Sequence, residues 1–182
     1  MKIFYLYKER HQPVGDFDYE VSFLQVKEIR QIEMYNNYPF RFYFESIMNG
    51  DRILTLRKEG KIVAWNFYST KQLRFSGMNV RLKAGEAYLY FMYVLEEFRG
   101  QGLAEYLRIK TYQKLYDLHH IEKFYSVSEY KNFSALRFKD KLHAKKIGLF
   151  IFVFGKLFAL KWYDTKDQRW LQGSKQKRQK PR

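Results

Sequence analysis

A chain of 182 residues, 46% hydrophobic and 20% aromatic, has the size of one ordinary domain and can bury a substantial core. It contains no cysteine, which excludes disulfides, thiolate metal sites and a covalent intermediate on cysteine; its four histidines, His11, His119, His120 and His143, show no metal-ligand spacing with carboxylates. The formal net charge of +15 raises nucleic acid, anionic lipid and acidic small molecules as partners.

The N-terminal "MKIFYLYKERHQ" carries too short an apolar run for a secretory leader, so a cytoplasmic location is expected. Its "KIFYLY" reads as a strand. Residues 19–35 place Phe23, Val26, Ile29 and Met34 at helical spacing and predict a helix that Pro39 ends. An aromatic-rich second helix follows through Met48 and stops at Asn49-Gly50. "RILTLRKEGKIVAWNFYST" predicts a hairpin, because β-branched and apolar residues alternate on both sides of Glu59-Gly60. More extended chain leads to "EAYLYFMYVLEE", the strongest strand in the sequence.

From Leu103 onward, Leu103, Ala104, Leu107, Thr111, Leu115 and Leu118 share about a third of the helical circumference, with Lys114 the misfit. "KFYSVS" then reads as a strand, "NFSALRFKDKL" as a short helix and "KKIGLFIFVFGKLFALKWY" as a closing hairpin. Its apolar stretch, interrupted by Gly155-Lys156, falls short of the roughly 20 residues a membrane-spanning helix needs. The domain is expected over residues 1–165. Residues 166–182 read as a basic tail whose last ten residues carry five basic groups and no acid; it is either a solvated end or a weak contact for a polyanion.

The chemistry is expected at "EEFRGQGLAEYL", where a strand passes through two close glycines into a helix. Glycines let backbone amides approach an anion, and a helix N-terminus offers unpaired N–H donors. A dinucleotide fingerprint would want a third glycine where Glu105 stands, and a nucleotide-triphosphate loop would want Gly-Lys-Ser/Thr, which is absent. Gly100 and Gly102 could also simply turn the chain, with Arg99 paired to Glu96 or Glu97.

Arg99-Gly100-Gln101-Gly102-Leu103-Ala104 matches the Arg/Gln-x-x-Gly-x-Gly/Ala signature of the GNAT acyl-CoA-dependent N-acyltransferases, and "NFSALRFKDKLHAKKIG" resembles that family's second signature about thirty residues on. The resemblance is sharp over residues 87–148. It implies a mixed α/β fold, with a six- to seven-stranded sheet flanked by about four helices and a strand splay that holds acetyl-CoA. It implies that Arg99, Gly100, Gln101, Gly102, Leu103 and Ala104 hold the coenzyme A pyrophosphate. It further implies that Met92, Tyr93 and Val94 pair with the pantetheine arm, and that Asn132, a natural helix cap, also touches that arm.

The alignment departs from the family at Lys139, which stands where a tyrosine commonly protonates the departing thiolate. Lys139 is thus a candidate acid, as is Tyr130 in the preceding loop; otherwise Lys139 is a surface lysine. Removing a proton from an alkylammonium of pKa near 10 calls for a base, for which Glu86 is the nearest carboxylate by sequence; otherwise Glu86 is an exposed residue after the Ala84-Gly85 turn. The resemblance puts the acceptor against "EMYNNYPFRFYFES", with Tyr38 and Arg41 as candidates to hold it.

The expected activity is direct transfer of an acetyl group from acetyl-CoA to a primary amine of a small molecule, such as an amino sugar, in a ternary complex, without a metal, by a monomer or homodimer. Protein N-acetylation, a degenerate coenzyme-binding member, and a basic module for nucleic acid or anionic surfaces are the alternatives.

Overall fold

The computed structural model describes residues 2–9, 17–35, 38–76, 78–153 and 156–162. In chain order these form β1 (Lys2–Glu9), β2 (Glu20–Phe23), α1 (Ile29–Glu33), α2 (Phe40–Met48), β3 (Arg52–Lys58), β4 (Lys61–Ser69), β5 (Gln72–Phe75), β6 (Met78–Arg81) and β7 (Glu86–Val94). There follow α3 (Leu103–His119), β8 (Lys123–Glu129), α4 (Phe133–Lys141), β9 (Lys145–Val153) and β10 (Lys156–Trp162). The turn of the closing hairpin and the basic tail lie outside the described residues.

Local sequence chemistry explains most of these elements. Glu59 and Gly60 both have positive φ, 50° and 78°, as a type I′ turn requires, and they bring Lys58 opposite Lys61 in the β3–β4 hairpin. α2 ends where Gly50 takes φ 89°, and α4 starts where the Asn132 side chain accepts from the Ala135 N–H at 3.0 Å.

The main sheet has eight strands in the order β10-β9-β1-β8-β7-β4-β3-β2, and β5 and β6 form a separate hairpin. The sheet is therefore one strand wider than the expected six to seven. The addition is β2, whose residues fall in a stretch that the spacing of Phe23, Val26 and Ile29 predicts to be helical. There the backbone instead pairs with β3, Glu20 opposite Arg57 through Phe23 opposite Leu54, and Ser22 and Thr55 exchange hydrogen bonds across the pair. Helical geometry begins only at Val26.

Helices cover both faces of the sheet. α1 and α2 pack Ile29, Ile32 and Tyr43 against Ile53, Trp65 and Phe67 on one face. On the other, Leu103, Tyr106 and Leu107 of α3 meet Leu54, Leu56, Val63 and Ala64. The expected apolar stripe of α3 holds as far as Leu115; Leu118 is half exposed.

β7 and β8 run parallel but pair over three residues only, Glu86 with Lys123 through Tyr88 with Tyr125. Beyond Tyr88 the strands part, leaving the facing edge of β7 without a β8 partner. On the opposite edge Trp65 faces Tyr93 and Phe67 faces Tyr90, so Phe91 and Met92 together oppose Asn66. This is a β-bulge, and it holds Phe91 at φ 44°, a left-handed conformation that disfavours a bulky side chain. The bulge bends β7 at the place where it leaves β8.

The contact of α3 with the sheet rests on fully buried aliphatic groups. Leu107→Ala, at a position with no exposed surface, is expected to lower unfolding free energy by about 3 kcal/mol in denaturant titration, through lost transfer energy and the cavity left behind.

Candidate active site

Between β7 and α3 the chain makes a short 3-10 turn, Glu96–Phe98, and then passes through Gly100 and Gly102 at φ 79° and 78°. A β-carbon added at Gly100 would meet nothing within 4 Å, and one at Gly102 would meet only the Phe17 ring at 3.9 Å. Protein packing therefore does not require these residues to be bare, although their positive φ favours glycine. Among the described residues, the N–H groups of Gly100, Gln101, Gly102, Leu103 and Ala104 donate no hydrogen bond, and the first helical bond is Tyr106 N–H to the Gly102 carbonyl at 3.0 Å. Consecutive free donors at the start of a 17-residue helix make an anion-binding nest.

Arg99 braces this loop. Its Nε donates to the Val94 carbonyl at 3.1 Å and its Nη1 to Glu96 Oε1 at 2.9 Å, while its guanidinium lies 5.3 Å from the Tyr93 ring centre. The ion pair is exposed on both sides and contributes little to stability.

The gap between the parting strands opens into a cavity of about 900 Å³ that reaches both faces of the sheet. On the α3 and α4 face it is lined by Ala104, Arg108, Asn132, Ala135, Phe138 and Lys139. On the α2 face it is lined by Phe42, Glu45, Asp51, Arg74, Tyr88 and Tyr90, with Met92 and Ser126 among the strand residues between. Two ligands approaching from opposite faces can thus meet within the sheet.

A buried charge cluster underlies the α3 and α4 face. Glu9, with no exposed surface, accepts hydrogen bonds from Tyr112, Ser126 and Lys139, and its Oε2 lies 3.7 Å from Arg108 Nη1. Burial pushes the Glu9 carboxyl up, but the Lys139 and Arg108 cations and the hydrogen bonds outweigh it and hold the group down at about 2. Lys139 is lowered to about 8, chiefly by burial and also by Arg108, against the upward pull of Glu9. Two cations share one carboxylate, so Lys139 is the member that gives up its charge first. Arg108 Nε and Nη1 have no hydrogen-bond partner, an arrangement that costs about 1–3 kcal/mol per buried donor.

On the other face Tyr90 donates to Asp51 Oδ2 at 2.5 Å, and burial followed by the Asp51 charge raises the Tyr90 phenol far above its ordinary range. Asp51 Oδ1 is buried without a partner. Asp51 is thus a carboxylate in the cavity wall with one oxygen committed and one free.

The structure brings together only part of the set named from sequence. Met92, Ala104, Asn132 and Lys139 line the cavity, with Tyr93 and Val94 continuing the same strand and Arg99 through Leu103 forming its adjoining loop. Lys139 is not a surface lysine: it is buried with the Glu9 carboxylate, because the helical repeat turns it inward from α4. Glu86 is not exposed either. It is buried at the three-residue seam, accepts from Lys83 N–H and the Tyr125 hydroxyl, and lies six residues before Met92, roughly 20 Å along the strand.

Tyr130 is half exposed beside the Tyr5 ring and is not among the residues lining the cavity. Arg41 is on the surface in a pair with Glu45, and Tyr38 reaches the site only through its contacts with Phe42 and Phe91. Sequence reasoning missed Glu9, Asp51, Tyr90 and Arg108. Of these only Arg108 carried a local signal, as a charged residue adjoining the apolar stripe of α3.

Glu9 supplies a pH test. Its carboxyl is depressed when folded, so its stabilisation is complete above the unfolded value of 4.5 and lost as pH falls towards about 2. Wild-type stability should fall through that window in chemical denaturation, and Glu9→Gln should flatten the response. The variant should also lose about 3–5 kcal/mol at neutral pH, because two buried cations lose their counter-charge.

Among the described residues, no group of three or more His, Asp or Glu residues could hold a metal ion, and no helix is long and apolar enough to cross a membrane. No curated protein sequence matches the chain. A conserved protein of unknown function from Staphylococcus epidermidis superposes with TM-score 0.59 at 12% identity over 81% of this chain, which spans 59% of that protein's length. The ribosomal-protein-S18-alanine N-acetyltransferase from Escherichia coli gives TM-score 0.54 at 14% identity, over 68% of this chain and 76% of that one. AAC(6')-Iy, solved in complex with the bisubstrate analog CoA-S-monomethyl-acetylneamine, gives 0.59 at 14% identity, over 75% of this chain and 97% of that one. These likenesses show the fold. The sequence profile of the acetyltransferase (GNAT) family matches residues 20–144, and the chain belongs to that family.

Proposed function

We propose that the protein transfers an acetyl group from acetyl-CoA to a primary amine of a small molecule, directly and in a ternary complex. The observation that carries this reading is the run of free N–H groups from Gly100 to Ala104 beside a cavity that passes through the sheet. Those donors and the open space at Gly100 fit a pyrophosphate. The unpaired edge of β7 at Met92, Tyr93 and Val94 would receive the pantetheine arm, with Asn132 opposite. When bound, the thioester supplies an activated acyl carbon and a thiolate leaving group.

The chain's own residues then divide the proton work. Lys139, in place of the family's tyrosine, donates to sulfur from the α4 side, held by Glu9. Asp51 sits on the α2 side, where its free oxygen attracts an ammonium and accepts its proton, while Tyr90 fixes the other oxygen. Glu86, committed to the seam, is replaced in this role by Asp51. A cavity bounded by Phe42, Arg74 and Tyr88 favours a compact amine over an extended peptide.

Calorimetry should detect acetyl-CoA binding to the wild type and none to Gly102→Glu, where φ 78° and the bulk of the side chain both act against the ligand. A wild type that binds neither acetyl-CoA nor free coenzyme A rules the reading out. In thiol-release assays across an amine panel, Lys139→Met should lower kcat by about 10²–10³-fold, and Asp51→Asn by about 10²-fold. Lys139 acts as an acid only while protonated, so the rate it supports should decline as pH rises through about 8, and that decline should vanish in Lys139→Met.

A further inference from the structure

The charge cluster under the cavity does not balance. Glu9 contributes one negative charge, Lys139 and Arg108 one positive charge each, and the Glu9 oxygens are already taken by Tyr112, Ser126 and Lys139. Arg108 is the surplus cation. It is 3% exposed, lines the cavity, and has neither Nε nor Nη1 in a hydrogen bond. Among the described residues its one close negative charge is Glu9, at 3.7 Å, beyond hydrogen-bonding distance. Phe138 lies beside both cations, with its ring centre 5.6 Å from the Arg108 guanidinium and 5.4 Å from Lys139 Nζ. The two cations therefore occupy one end of the cavity.

An acetyl methyl would leave this fork without a partner. A lysine at position 108 would supply the same charge to a transient anion, whereas a planar guanidinium whose Nη2 makes a parallel pair of N–H donors with Nε on one edge and with Nη1 on the other, both of these being unpartnered, suits a carboxylate. The pyrophosphate already has its donors in the glycine loop, and the sulfur has Lys139. We propose that Arg108 recognises a carboxylate at the far end of the acyl chain, so that the preferred donor is the coenzyme A thioester of a short dicarboxylic acid. The inference rests on the acyltransferase reading and refines its donor.

The reaction is otherwise unchanged. The amine lone pair attacks the thioester carbonyl carbon, the C–N bond forms and the C–S bond breaks with its electron pair leaving on sulfur. Starting from the ammonium, nitrogen loses two protons, one to Asp51 before attack and one to solvent as the amide forms; sulfur gains one from Lys139, which solvent re-protonates. The distal carboxylate passes unaltered into the product, which is an amide bearing a free acid.

The test is calorimetric binding of succinyl-CoA, acetyl-CoA and free coenzyme A to the full chain, for wild type and Arg108→Met, with thermal unfolding recorded for both. Wild type should bind succinyl-CoA about tenfold or more tightly than acetyl-CoA, as one charged hydrogen-bonded pair allows. Arg108→Met should erase that difference and leave acetyl-CoA within about twofold. Equal binding of the two thioesters by wild type overturns the proposal, and needs no variant to fold. An Arg108→Met loss shared by all three ligands also overturns it, since Arg108 would then serve the part they have in common. If acetyl-CoA and coenzyme A bind and succinyl-CoA gains nothing, only this inference fails; if nothing binds, the acyltransferase reading fails with it.

Discussion

Two parallel strands that stop pairing after three residues leave backbone donors and acceptors that water or a ligand must satisfy, and this constraint organises the molecule. β7 and β8 part after Tyr88 and Tyr125. The edge of β7 so exposed borders the cavity, with α3 and α4 on one side and α2 on the other. The bulge opposite Asn66 bends β7 away from β8, and Phe91 adopts a left-handed conformation to do so. Backbone strain of this kind persists only where the surroundings impose it. Here Phe91 is gripped by Tyr38, Phe42, Phe67 and Tyr90. The aromatic density of the sequence thus has a structural purpose before it has any role in recognising an acceptor.

The second organising feature is the carboxylate of Glu9, which gathers side chains from three other elements: Arg108 and Tyr112 of α3, Ser126 of β8 and Lys139 of α4. A buried ion pair is weak evidence for stability, because desolvation offsets much of the Coulombic gain. Its value here is positional. It fixes α3 and α4 against the first strand of the chain and sets a lysine, rather than a surface-facing side chain, in the cavity wall. The departure from the family's tyrosine is therefore one member of a set of mutually dependent residues, since Lys139 without Glu9 would be an unpaired charge in the interior.

Much of this could be read from the sequence where the signal is local. The Glu59-Gly60 hairpin, the Asn132 cap, the Asn49-Gly50 stop and the glycine turn are each set by a few adjacent residues, and the structure has them where the sequence puts them. The misreadings have a common cause. β2 belongs to the sheet because a strand thirty residues later accepts it, against its own apolar spacing. Lys139 and Glu86 looked exposed because charge predicts solvent, and each is buried because a distant partner, Glu9 for one and Tyr125 for the other, meets it. Asp51 follows a helix-ending glycine like any turn residue, and nothing nearby in the chain announces Tyr90. Long-range pairing carries no short-range pattern.

The order of strands has a mechanical corollary. β10, β9, β1 and β8 form one four-stranded plate, and β7, β4, β3 and β2 another; the rungs between Glu86–Tyr88 and Lys123–Tyr125 are the only ladder joining them among the described residues. The sheet is thus two stiff leaves on a narrow rivet, with Glu86 and its bond to Tyr125 at the pivot. The width of the opening is set by the angle between the leaves, and a chain lying along the free edge of β7 would act as a missing rung, bracing them against each other.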